Sequence, residues 1–257
     1  MGILVLVVLV GLVGRVDTFD VKQGRAVLIP CEQNDTVVFN GIAQPVVLYQ
    51  DRSYGLVAVS MFTQPAIYKI TISQRMAYLR VRKAVFEVSY PGINYVEVAD
   101  ANKSKFKIAL LAESVQQLWG SFVWPLLDST LYPVSSGFGR LRKYLNRPKG
   151  VPHLGIDWEA LRCTPVVTAA NGVVLWANDS PLLYEGPTIV IAHGGEVYTY
   201  YLHLAEAIVK TGDYVFRGQT IGFSGGVGAN STGDHLDFRV KVGRVFVDPP
   251  DFIKLFR

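Results

Sequence analysis

The chain has 257 residues, half of them hydrophobic and only 18% charged, with a net charge of +4. A chain this apolar can bury enough surface to offset its conformational entropy, which excludes a disordered protein. Two cysteines exclude a disulfide-stapled miniprotein, and 24 glycines with 13 prolines break up any long coiled coil.

In chain order, Ile3 to Val13 form an apolar run interrupted only by Gly11. The run is short for a bilayer span, which needs about 20 residues, and suits the apolar region of a secretory signal. No Lys or Arg follows Met1, and no small-x-small site precedes Arg15. A buried, Val-rich N-terminal strand is the alternative. Residues 1–18 are expected to be a signal peptide or N-terminal anchor. Cys31 and Cys163 fall in different halves; they either pair in an oxidising compartment or stay as free thiols.

From Val21 to Leu111, short apolar-alternating runs are separated by turn residues: Arg25–Pro30, Thr36–Phe39, Gly55–Phe62, Ala66–Ile72 and Ala84–Ser89. Val, Ile, Tyr and Phe dominate them, which predicts a small β-sandwich over 19–111. This half has no histidine, so its expected work is packing, positioning or covering a partner. Residues Ala112 to Trp119 place apolar residues at helical spacing, and Gly120 and Pro125 follow. A short helix is predicted there, inside a linker over 112–130.

Residues 131–257 are again strand and turn, but glycine-rich, and they hold all four histidines. The basic residues Arg140, Arg142, Lys143, Arg147 and Lys149 read first as a solvated loop. The sharper alternative is a rim that attracts an anionic polymer. No basic stripe with stacking aromatics marks a nucleic-acid binder.

His153 and Asp157 stand four apart, so they share a face on a helix or a strand, and both are zinc-ligand types. Alone, such a spacing is more often a hydrogen-bonded pair. In Gly233–Val240, His235 and Asp237 alternate with Leu236 and Phe238, which on a strand gives one polar and one apolar face. The bland alternative is a polar surface edge. His203 lies among apolar neighbours and could equally be a core histidine. His193, at a Gly-Gly turn, reads as structural.

Taken together, these segments resemble the lysostaphin/LytM-type zinc endopeptidases that cut peptidoglycan cross-bridges. The resemblance runs from Pro133 to about Phe252. Its carriers are Ser135–Arg140, His153-x-Gly155-Ile156-Asp157, Thr199-x-Tyr201-x-His203-Leu204, Gly212-Asp213, Gly218-Gln219, Ser231-Thr232-Gly233-x-His235-Leu236 and Asp248-Pro249. The resemblance implies an all-β fold with a groove on an antiparallel sheet. The N-terminal half is similar, more loosely, to the accessory domain of some exported members.

By the resemblance, His153 and Asp157 match the first two metal ligands, and His203 and His235 match two histidines that orient and polarise the attacking water. The third ligand is normally histidine; here it is Asp237. The residue after Phe238 is normally acidic; here it is Arg239. A second carboxylate in place of an imidazole neutralises a zinc centre, which should acidify bound water less. It also shifts preference toward harder ions such as Mn²⁺.

The resemblance therefore implies a Zn²⁺-dependent endopeptidase acting on peptidoglycan, exported to the periplasm or cell envelope. The alternative is a non-hydrolytic member that binds peptidoglycan or another envelope protein. Contact with a membrane is expected only through an uncleaved N-terminal segment.

Overall fold

The computed structural model describes residues 16–95, 116–177, 185–228, 231 and 233–257. The N-terminal apolar run lies outside the described residues. The fold is all-β, with a single short α-helix among the described residues.

The N-terminal half contains β1 (Thr18–Lys22), β2 (Ala26–Pro30), β3 (Val37–Phe39), β4 (Ile42–Gln44), β5 (Val46–Tyr49), β6 (Arg52–Ala58), β7 (Ala66–Ile72), β8 (Arg75–Arg82) and β9 (Val88–Ser89). One sheet has the order β1-β8-β7-β3-β4 and another the order β2-β6-β5. Hairpin turns fix the registers. Asn40 and Gly41 join β3 to β4 with φ of 51° and 75°, and Gln50 and Asp51 join β5 to β6 with φ of 49° and 59°. Two successive positive-φ residues are what a twist-matched two-residue turn requires.

Ala66–Ile72 is the strand the alternation predicts. Ala84–Ser89 is not a sandwich strand. Only β9 forms, and it pairs in parallel with a strand of the C-terminal half.

Alternation along β6 divides the core. Val57 and Val59 pack with Ile29, Val37, Ile70 and Leu79 between the two N-terminal sheets. Leu56 and Ala58 point the other way, into a larger core with Val47, Trp119, Phe122 and Phe256. Successive strand side chains face opposite sides, so the β2-β6-β5 sheet is one wall of both cores.

The predicted helix over Ala112–Trp119 falls partly outside the described residues, and Gln116–Trp119 are not helical. Gln117 instead clamps the β5 backbone: its Oε1 accepts from Leu48 N–H at 2.8 Å and its Nε2 donates to Leu48 O at 2.7 Å. Trp119 Nε1 donates to Gly194 O at 3.1 Å. Here tertiary pairing outweighs helix propensity.

The C-terminal half continues with β10 (Val134–Ser136), β11 (Leu141–Tyr144), β12 (Arg147–Pro152), β13 (Ile156–Trp158), β14 (Pro165–Val167), β15 (Gly172–Trp176), β16 (Ile189–Gly194), β17 (Val197–Leu202), β18 (Leu204–Ala207), β19 (Tyr214–Val215), β20 (Thr220–Ser224), β21 (Leu236–Val242) and β22 (Val245–Val247), then α1 (Pro249–Leu255). The main sheet runs β10-β13-β21-β17-β16-β15-β19, with β22 also on β21. Ile156, Trp158, Leu236, Phe238 and Val240 fill the core on one face. By alternation, Asp157, Asp237 and Arg239 stand on the other.

The segment after β8 straps the β11–β12 hairpin. Leu141 N–H donates to Glu87 O and Leu145 N–H to Ile93 O. Phe86 packs edge-on to Phe138 and over Gly139, where φ of 79° disfavours a side chain and the Phe86 ring leaves no room for a Cβ.

This packing corrects the reading of the basic cluster as a solvated loop. Arg140 pairs with Glu87, Arg142 with Asp157, Lys143 sits over the Tyr90 ring and Arg147 over the Tyr95 ring. Cys31 and Cys163 are free thiols, the first half-buried and the second exposed.

Candidate metal centre and active site

Three adjacent strands build the floor of the site. In the registered sheet Asp157 on β13 lies opposite Asp237 on β21, which lies opposite Leu202 on β17. His153 enters from the end of the β11–β12 hairpin, held by His153 N–H to Arg140 O and Gly139 N–H to His153 O. His203 follows directly after β17, and His235 directly precedes β21. All five predicted site residues thus arrive at one end of three neighbouring strands.

Gly155 permits this convergence. A Cβ there would lie 2.4 Å from Phe238 O, 2.5 Å from Arg239 Cγ and 2.6 Å from Asp237 Oδ1. The glycine of His-x-Gly-Ile-Asp is the price of the close β13–β21 approach.

His153, Asp157 and Asp237 are all buried, and one ligand-type atom from each lies within 4.8 Å of the others. His153 Nε2 is 3.0 Å from Asp157 Oδ1 and 3.5 Å from Asp237 Oδ2. Four ligands at metal–ligand distances of 2.0–2.2 Å place tetrahedral neighbours roughly 3.3–3.6 Å apart. Although both carboxylates are within ion-pair reach, neither His153 Nε2 nor Asp157 Oδ1 has a directed hydrogen bond among the described residues. His153 Nδ1 is 3.1 Å from Gly137 O, and a carbonyl only accepts, so Nδ1 carries the hydrogen. In the neutral ring the Nε2 lone pair therefore faces two carboxylate oxygens, an arrangement a divalent cation satisfies. The residues present fit a metal.

The same rule sets the other two imidazoles. His203 Nδ1 is 2.9 Å from Val227 O and His235 Nδ1 is 2.8 Å from Gly233 O. Neither Nε2 has a hydrogen-bond partner among the described residues, and the ring centroids lie 4.7 Å apart. His203 has a left-handed backbone with φ of 60°, a costly conformation held by its N–H to Glu185 O and by Val227 N–H to its carbonyl. Burial pushes its pKa down to about 4, with Asp237 opposing and His235 reinforcing the shift.

Two arginines flank the carboxylates. Arg142 Nη2 donates to Asp157 Oδ2 at 2.5 Å and to Ser136 Oγ at 2.9 Å. Arg239 Nε lies 3.1 and 3.0 Å from the two oxygens of Asp237, and its Nη2 lies 2.5 Å from Oδ2. Burial opposes charge on Asp237, but Arg239 and His153 outweigh it and hold its carboxyl well below the usual range. Burial likewise opposes charge on His153, and Asp237 with Asp157 raises its pKa above the ordinary imidazole value.

Sequence reasoning missed Arg142 as a site residue, because only the fold places β11 beside β13. It named Arg239 as a departure without assigning it a partner. The i, i+2 spacing from Asp237 on a strand is the signal that could have done so.

His193 is structural, as read. It is fully buried, with Nδ1 2.8 Å from Asn171 O and Nε2 2.7 Å from Thr199 Oγ1.

Residues 151–249 match the family model of peptidase family M23. The peptidoglycan DD-endopeptidase ShyA of Vibrio cholerae is 40% identical over 109 residues, which are 42% of this chain and 25% of ShyA. Lysostaphin of Staphylococcus simulans is 33% identical over 132 residues, 48% of this chain and 25% of that protein. The match thus spans a quarter of the length of either relative. A solved structure from Pseudomonas aeruginosa, described as a peptidase M23, is 22% identical with a TM-score of 0.68, covering 91% of this chain and 95% of that one. That likeness is one of fold. With its ordered motifs, the stretch over 151–249 is similar in sequence to peptidase family M23.

Proposed function

We propose that the protein is an exported, metal-dependent endopeptidase that hydrolyses amide bonds in peptidoglycan peptide cross-links. His153, Asp157 and Asp237 would hold the ion, Zn²⁺ first and Mn²⁺ as the harder alternative. The observation that carries this reading is the buried, undirected His153 Nε2 facing two carboxylates. Relatives named as peptidoglycan endopeptidases support the substrate class. The periplasm or cell envelope follows as the compartment, because that is where this polymer lies.

A bound dication acidifies water and polarises a carbonyl. The chain supplies the rest. His203, neutral at neutral pH, offers Nε2 as a proton acceptor for the attacking water. His235 places a second Nε2 beside it; once this nitrogen has taken up a proton it can donate to the developing oxyanion or to the leaving amine. The backbone carbonyls of Val227 and Gly233 hold both rings in the productive tautomer.

One observation favours a second reading. Arg239 forks Asp237 and shares the oxygen nearest His153. A non-hydrolytic domain that binds peptidoglycan or an envelope partner through the same groove is the outcome if that ion pair excludes the metal.

The test measures bound metal in the purified protein and peptide release from purified peptidoglycan. We expect stoichiometric metal and cleavage, with metal lost in Asp237→Ala. His203→Ala should keep the metal and lower the rate by ~10²-fold or more. No metal and no cleavage with added Zn²⁺ or Mn²⁺ would overturn the enzyme reading and leave the binding one.

A further inference from the structure

We propose that Arg239 is the charge partner that allows an aspartate at position 237, so that residues 237 and 239 work as one matched pair at the metal centre. This inference rests on the metal-site reading above.

The sheet register sets the problem. Asp157 and Asp237 are directly opposed on β13 and β21, and both are almost wholly buried. Like charges directly opposed across two strands destabilise the pair, and burial sharpens the repulsion. Each carboxylate is met by its own guanidinium: Arg142 for Asp157, Arg239 for Asp237. Arg239 comes from two residues along the same strand, so it shares the face of Asp237 by construction. Its fork engages both oxygens, which a lysine cannot reproduce. The Arg239 side chain is only 20% exposed, and Asp157 and Glu185 lie within electrostatic reach as its remaining acidic neighbours.

The pair has no net charge, like the neutral imidazole normally found at position 237. A dication beside Asp157 would therefore meet the same charge with this pair as with a neutral imidazole at 237, since the Arg142–Asp157 pair contributes equally in both cases. The loss of field expected from a second carboxylate is therefore offset by Arg239. The arrangement also runs in reverse. A histidine at 237 with Arg239 retained would strip a largely buried guanidinium of its forked partner and leave it facing the ion. Restoring the usual ligand thus needs two changes.

The experiment is a four-cornered cycle on the full chain: wild type, Asp237→His, Arg239→Gln and the double variant. Two quantities are read: Zn²⁺ affinity by calorimetric titration, and the urea midpoint of the metal-free protein. We expect Asp237→His alone to bind Zn²⁺ at least about tenfold more weakly than the double variant, and to unfold at lower urea than either the double variant or wild type. Equal affinity and equal midpoint with and without Arg239→Gln would overturn the pairing and leave the metal site standing. A wild type that binds no Zn²⁺ beside a double variant that does would overturn the native metal site and support the pairing. If Asp237→His fails to fold, rescue by Arg239→Gln counts for the pairing, and failure to rescue counts against it.

Discussion

At Gly155 the missing side chain keeps β13 and β21 in contact, because an added Cβ would strike backbone at Phe238 and both members of the Asp237–Arg239 pair. Overpacking of this kind costs roughly 1–3 kcal/mol. Gly155→Ala should lower the thermal midpoint, and its metal content should fall with the displaced Asp237. Retention of both would show that the strands can part without consequence.

His193 gives a second test at this scale. Burial holds its pKa down to about 4, below the ordinary imidazole value of about 6.5. The unfolded chain therefore takes up a proton more readily than the native one. Stability from His193 is fully present above about pH 6.5 and is lost as pH falls toward 4, on the order of 3 kcal/mol. Urea unfolding across that range should show the wild type losing more than His193→Gln. Parallel curves would remove His193 from the acid limb.

Residue types in order singled out His153, Asp157, His203, His235 and Asp237 as candidates, and the fold brings these five together. The arginine clamps were not legible in the same way. Arg142 reaches Asp157 across a fold contact that no local pattern encodes.

Among the elements, β6 does the most to unite the molecule. Its apolar run was readable as a strand, but sequence could not say that both faces are covered, because a run buried on two sides looks like any hydrophobic stretch. The consequence is mechanical coupling between the cores. Ile70 on β7 lies in the N-terminal core, on the far sheet. All four tryptophans, at 119, 124, 158 and 176, lie beyond the N-terminal sheets. Ile70→Ala should destabilise by about 2–5 kcal/mol. Its tryptophan fluorescence midpoint should shift together with far-UV circular dichroism. An unmoved fluorescence transition would mean that the halves unfold independently. The strand expected over Ala84–Ser89 failed for a related reason: β9 finds its partner on β11, beyond the reach of local alternation.

For the whole molecule, the cluster of Arg140, Arg142, Lys143, Arg147 and Lys149 reads from sequence first as a solvated loop and alternatively as a basic rim. Four of its five residues instead serve inside the fold, on Glu87, Asp157, Tyr90 and Tyr95. Three of those partners, Glu87, Tyr90 and Tyr95, sit on the strap between the halves, so the N-terminal half braces the hairpin that delivers His153.

The two thiols differ in a way that bears on how the candidate site can be watched. Cys163 is exposed, while Cys31 is half-buried and its thiol is pushed up in pKa by burial and by Asp35. The neighbour of Cys163, Arg162, donates its N–H to Asp234 at 3.2 Å, and Asp234 adjoins His235. A maleimide fluorophore should therefore attach first at Cys163 and report on the loop beside His235. Its emission should change when peptidoglycan fragments enter and stay constant with unrelated sugars, giving a titratable optical signal for occupancy without any bond being cut.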